Sequence, residues 1–184
     1  SSLFSYIEAG RSDLYVIPRF KTAFVNPFSE APALDLLCSF YTSDGQPLES
    51  APEYILKKAH EDFKATTGYT FKAMGELEYY VSSEKGKMYP TSDQKGYHNS
   101  MPFTKWERLR VEAMQLIAQS GGKIKYGHSE VGNFSTEHLD FEQHEIEFNP
   151  VDAEDAVDQL IIAKWILRML GQKYQVQISF APKI

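Results

Sequence analysis

Three stretches of this chain alternate apolar side chains with carboxylates or an imidazole, the two-residue period of a half-buried β-strand. Along residues 70–81, Phe71, Ala73, Gly75, Leu77, Tyr79 and Val81 share one face. Glu76 and Glu78 share the other, roughly 6.5–7 Å apart along the strand. The pattern returns at 123–131, which puts His128 and Glu130 on one face, and at 143–149, which puts Glu145 and Glu147 together. If these strands are sheet neighbours, carboxylates crowd one surface, where they raise one another's pKa unless a cation lies among them. Oxygen ligands without a cysteine suit Mg2+ or Mn2+ rather than zinc. Pattern alone leaves a second reading open, the solvated polar face of an antiparallel sheet with no metal. His144, beside Glu145, should point to the opposite face as a packed histidine.

Further strands are expected at 14–18, 22–26, 34–42 and 175–180, with 70–81 beginning one residue earlier at Tyr69 and a turn at Arg19-Phe20-Lys21. Three helices separate them. The first follows Ser50-Ala51-Pro52, with Ser50 as N-cap, a stripe of Ile55, Leu56, Ala59 and Phe63, and Gly68 past its end. A second opens at Thr104 with Glu107 at capping-box spacing, buries Trp106, Leu109, Ala113, Leu116 and Ile117, and stops at Gly121-Gly122. The third spans about 152–170 and is apolar nearly all round, which predicts extensive burial. Strands outnumber helices and come partly in consecutive pairs. The expected class is therefore α+β, a largely antiparallel curved sheet with helices on one face. Two long connections, 82–102 and about 132–142, are either functional or plain surface loops.

Composition narrows the function. The 184 residues are 42% hydrophobic with a formal net charge of -6, which suits one compact domain and argues against nucleic acid or an anionic membrane as partner. Cys38 is the single cysteine and sits in an apolar setting, so it reads as core, and no disulfide framework is possible. No apolar run approaches about 20 residues, and Ser1-Ser2-Leu3-Phe4 carries no basic signal-peptide region. A cytoplasmic protein is expected.

At the acidic strands the chain resembles the glutamine synthetase family. Gly75-Glu76-Leu77-Glu78-Tyr79-Tyr80 is similar to the family's Glu-Pro-Glu-Phe strand, and His128-Ser129-Glu130-Val131 to its His-His-Glu-Val motif. Gln143-His144-Glu145-Ile146-Glu147-Phe148 resembles Gln-His-Glu-Ile-Asp-Phe, and Phe180-Ala181-Pro182-Lys183 resembles Phe-Met-Pro-Lys. Ser12-Asp13-Leu14-Tyr15, Asp44-Gly45-Gln46-Pro47 and Lys95-Gly96-Tyr97 have counterparts in the same order. The resemblance implies that Glu78, Glu130 and Glu145 hold one metal, that Glu76 belongs to a second beside the nucleotide phosphates, and that His128 lies near the transferred phosphate. It implies ATP, glutamate and ammonium as substrates, γ-glutamyl phosphate as intermediate, Mg2+ or Mn2+ as cofactor, and a homo-oligomer for the full-length protein. No single catalytic residue is assigned.

Departures qualify what is carried over. Leu77 replaces the usual proline, Ser129 the second histidine, and Lys125 a glutamate near the nucleotide; Pro150 stands where an aromatic ring packs on it. Residues 133–141 lengthen the segment between Glu130 and Glu145, and its His138, Asp140 and Glu142 are expected to be solvated. The expectation is a partial catalytic domain over 1–184, without the family's β-grasp domain and the C-terminal half of the catalytic domain, and inactive in isolation. Alternatives are a γ-glutamyl-amine ligase with a larger amine acceptor, a non-catalytic assembly or interaction relative, and an unrelated α+β binding module.

Overall fold

Residues 13–184 are described by the structure, a computed structural model; Ser1-Ser2-Leu3-Phe4 and Ser12 lie outside the described residues. The first elements are β1 (Tyr15–Pro18), β2 (Phe24–Val25), β3 (Leu34–Asp35), β4 (Cys38–Tyr41), α1 (Pro52–Thr67), β5 (Lys72–Ala73) and β6 (Glu76–Glu84). There follow α2 (Glu107–Gln119), β7 (Ile124–Ser129), β8 (Phe134–Ser135), β9 (Leu139–Phe148), β10 (Val151–Asp152), α3 (Ala153–Tyr174) and β11 (Gln177–Ser179). They group into two units: the described residues up to Ala73 with Val151–Asp158, and Met74–Pro150 with Gln159–Ile184.

In the first unit β1 pairs with β4, β2 with β3 and β5 with β10, all antiparallel. The expected turn at Arg19-Phe20-Lys21 does not make neighbours of β1 and β2. Phe20–Thr22 instead form a 3-10 turn, and Arg19 N donates to Leu37 O at 2.9 Å. Both strands therefore pair with the returning chain as one interrupted hairpin. Pro52 sits in the first turn of α1, but its N-cap is Ala51 rather than Ser50, and Gly68 closes it at φ 75°. A left-handed φ of this kind costs glycine least. The apolar stripe does produce a helix, yet α1 buries no residue and Ile55 is 55% exposed. Periodicity sets conformation, whereas burial needs a partner surface. Cys38 is half-buried rather than core.

The second unit is a five-stranded antiparallel sheet in the order β11-β6-β9-β7, with β8 also on β9. The strand expected over 69–81 divides at Met74-Gly75: Lys72–Ala73 joins β10, and only Glu76–Glu84 joins the sheet. Phe71 is consequently exposed, while Leu77, Tyr79 and Val81 are buried with Ile146 and Phe148. Leu109, Ala113 and Ile117 of α2, with Ile162, Ala163, Ile166, Leu167 and Leu170 of α3, complete this core. Each fully buried leucine, isoleucine, valine or phenylalanine among them contributes about 1.5–3 kcal/mol, and the two alanines less. Val157 and Ile161 stay exposed, so α3 buries one face rather than its whole girth. It also runs on to Tyr174, which shortens the strand expected at 175–180 to Gln177–Ser179.

The capping box at Thr104 does not form. α2 begins at Glu107 with Trp106 as N-cap, whose own side chain makes no cap hydrogen bond; the backbone N–H groups of Lys105 and Trp106 instead donate to the Glu142 carboxylate at 2.9 and 3.2 Å. Glu107 turns away to accept from Met101 N at 2.8 Å. Nor is 132–142 a solvated loop. β8 and the start of β9 occupy it, His138 is exposed, and Asp140 and Glu142 are only 2% and 1% exposed. The strand's alternation simply resumes earlier than expected, which turns both carboxylates towards Lys105 and the helix. Among the described residues no helix is long and apolar enough to cross a membrane.

Candidate metal centre

Register places the acidic residues. Across β6 and β9, Glu76 faces Glu147, Glu78 faces Glu145 and Tyr80 faces Gln143. Across β7 and β9, His128 faces Glu145 and Tyr126 faces Glu147. Directly opposed side chains have Cβ atoms about 4.5–5.5 Å apart, so these carboxylates share the sheet face turned away from Leu77, Tyr79 and Val81. Glu130 follows the end of β7, its N donating to Gln143 O at 2.8 Å.

Two groups result. His128, Glu130 and Glu145 each offer one ligand atom, and these lie within 4.8 Å of one another; Glu76, Glu145 and Glu147 do the same. Glu145 is common to both. Glu78 stands outside them: its Oε2 accepts from Gln143 Nε2 at 2.6 Å. His128 is fixed from two sides, stacked on His98 at 4.6 Å and on Tyr126 at 5.5 Å between ring centres. Its Nδ1 lies 3.7 Å from Glu130 Oε1 and its Nε2 3.9 Å from Glu145 Oε2. His98 reaches that position with φ 56°, its N donating to Ser129 O at 3.0 Å.

The electrostatics separate the two groups. Glu145 is 6% exposed and accepts no hydrogen bond from the described residues. Burial, opposed by His128 and reinforced by Glu130, Glu76 and Glu78, raises its carboxyl to about 7. Glu147 is its opposite. Lys125 Nζ lies 2.7 Å from Glu147 Oε2, and Lys125 and the Tyr126 hydroxyl hold that carboxyl below its usual range. The Tyr126 hydroxyl is pushed up to about 12 in return. Both partners reach Glu147 because β7 slips register between Ile124 and Tyr126, a bulge that sets two residues opposite one.

The first group suits a hard or borderline divalent ion. It combines carboxylate oxygens with one imidazole nitrogen, contains no sulfur, and pairs with no lysine or arginine among the described residues. Sequence reasoning assigned no role to Glu147, Gln143, Tyr126 or His98. Gln143 and Glu147 were legible from alternation along β9, but the bulge and the left-handed His98 were not. His144 packs on the opposite face as expected. It is fully buried, stacks on Tyr79 at 5.7 Å and takes Arg110 Nη1 on Nδ1 at 2.7 Å. Burial lowers its imidazole below the usual value.

Comparison with known proteins supplies a context for this site. The family model described as glutamine synthetase, catalytic domain, matches residues 49–184. Glutamine synthetases of Clostridium saccharobutylicum and Thermus thermophilus are each 27% identical over the whole of this chain, covering 40% and 41% of their own lengths. The chain thus spans about two-fifths of the length of the curated relatives it matches. A cryo-electron microscopy structure of Plasmodium falciparum glutamine synthetase superposes with a TM-score of 0.83 at 19% identity, over all of this chain and 40% of that one. That last likeness shows the fold alone, a mixed α+β arrangement of antiparallel sheets and helices, and the described residues form no closed barrel.

Proposed function

The chain belongs to the glutamine synthetase catalytic-domain family, and from that premise we propose that it supplies the metal-binding part of an ATP-dependent glutamate–ammonia ligase. The observation that carries this reading is the convergence of His128, Glu130 and Glu145 on one face of the sheet. In this reading Glu130 and Glu145 hold one Mg2+ or Mn2+ ion, with Glu78 beside them across the β6–β9 ladder. Glu76 stands on the nucleotide-phosphate side, and His128 lies near the transferred phosphate. A bound ion would neutralise phosphate charge and orient the reacting oxygens while γ-glutamyl phosphate forms and ammonia displaces phosphate. The protein's own residues have the remaining tasks. His98 and Tyr126 fix the His128 ring, Gln143 orients Glu78, and the buried sheet face keeps the strands in register. The reading extends to a homo-oligomeric, cytoplasmic parent protein acting on small molecules.

A second reading, a family relative kept for assembly rather than catalysis, draws on the Lys125–Glu147 ion pair within one acidic group. Titration of Mn2+ into the chain and into Glu130→Gln and Glu145→Gln tests the metal centre. Tenfold or greater weakening is expected in both variants, and unchanged affinity in Glu145→Gln overturns the assignment. Metal-dependent phosphate release from ATP by the full-length protein, supplied with glutamate and then ammonium or a larger amine, separates ligase from assembly protein and one acceptor from the other.

A further inference from the structure

Lys125 is the extra residue of the bulge in β7, which turns it onto the face that carries the carboxylates. Strict alternation would have put it on the opposite face from His128. Its ammonium lies 2.7 Å from Glu147 Oε2, and Glu147 is 6% exposed. It also sits over the Tyr126 ring at 5.1 Å from the centroid, a cation–π contact that restricts where the charge can go. Resting on the metal-centre reading, we infer that Lys125 is a built-in cation for the group of Glu76, Glu145 and Glu147. The chain on its own therefore takes up one divalent ion, at His128, Glu130 and Glu145, rather than two.

The two groups differ in what they lack. Glu145 belongs to both, so the difference lies in their other members: in the first, the neighbour of Glu145 is His128, whose Nε2 stands off at 3.9 Å from the Glu145 Oε2. Among the described residues no lysine or arginine pairs with Glu130 or Glu145. In the second, Glu147 already has an ammonium and a phenol hydroxyl, so its charge is balanced from within the chain. A divalent ion entering that group would have to displace Lys125 or bind beside a positive charge. It would also share Glu145 with the ion in the first group, so two dications would lie close together with few carboxylates between them. One bound ion and one lysine satisfy the same acidic surface without that repulsion.

Calorimetric or paramagnetic-resonance titration of Mn2+ against the chain, Lys125→Met, Glu145→Gln and the double variant Lys125→Met/Glu76→Gln tests this, with circular dichroism verifying each fold. One equivalent is expected for the wild type and two for Lys125→Met, returning to one when Glu76 is also replaced. Two equivalents of similar affinity in the wild type would overturn the inference, and that result needs no variant to fold. A single equivalent in both wild type and folded Lys125→Met would also overturn it, while leaving the metal centre intact provided Glu145→Gln still loses binding. Wild-type affinity in Glu145→Gln would instead bring down the metal-centre reading itself.

Discussion

The Glu142 carboxylate accepts the backbone N–H of Trp106 at 3.2 Å, which makes a side chain of β9 the cap of α2. The N–H groups at a helix start have no partner within the helix and favour negative charge. Here that charge comes from 36 residues further along the chain. His144 Nε2 lies 3.3 Å from the same carboxylate, so cap, helix and sheet are joined at one buried point.

Replacing Glu142 with alanine should therefore cost more than an ordinary surface change. The N–H groups of Lys105 and Trp106 would lose their acceptor, and a buried donor without a partner costs about 1–3 kcal/mol. Glu142→Gln should be milder, because an amide oxygen still accepts. Urea unfolding of the two variants measures both effects, and equal stability of Glu142→Ala and wild type would contradict the cap.

Asp140 gives a pH dependence of defined sign. Although burial opposes it, hydrogen bonds from Lys105, Ser135 and Gly86 hold its carboxyl below the ordinary 3.8. A depressed carboxyl contributes stability that is fully present above the unfolded value and is lost as pH falls through the folded one. Unfolding followed between neutral pH and pH about 2 should show this loss below the ordinary aspartate range. In Asp140→Asn that acid-side slope should flatten, with lower stability at neutral pH.

Glu145 runs the other way. With its carboxyl raised to about 7, the metal-free folded state holds a proton that the unfolded state gives up near 4.5. Stability should accordingly decline as pH rises through that window. Mn2+ binding should strengthen over the same range, since the ion competes with the proton. Thermal unfolding with and without Mn2+ at pH values across the window measures both trends. Glu145→Gln should abolish the metal-free trend.

Gly132 lies against the metal side of the sheet. A Cβ there would come within 2.2 Å of Gln143 Oε1 and 2.4 Å of the Tyr80 hydroxyl, and Gly132 N donates to that same Gln143 oxygen at 3.0 Å. Gly132→Ala should push Gln143 aside, remove the donor from Glu78 and destabilise the chain by about 1–3 kcal/mol. Loss of Mn2+ affinity along with stability is the expected result of paired titration and denaturation measurements.

The sequence by itself determined the α+β class, the acidic face and the family resemblance, because strand alternation and motif order are written locally. Glu76, Glu78, Glu145 and Glu147 share a face through nothing but spacing, and registers such as Glu78 opposite Glu145 realise it. What only the tertiary structure decided turns on partners distant in sequence. Alternation cannot announce the bulge at Lys125, since an inserted residue is revealed only by what stands opposite it. The burial of Asp140 and Glu142 was hidden for a like reason: a carboxylate reads as solvated until Lys105 and the start of α2 are placed against it. The stripe of α1 shows the converse, a local pattern strong enough to make a helix but silent on whether any surface covers it. Local chemistry sets conformation and facing, whereas charge compensation and burial belong to the contacts the folded chain makes.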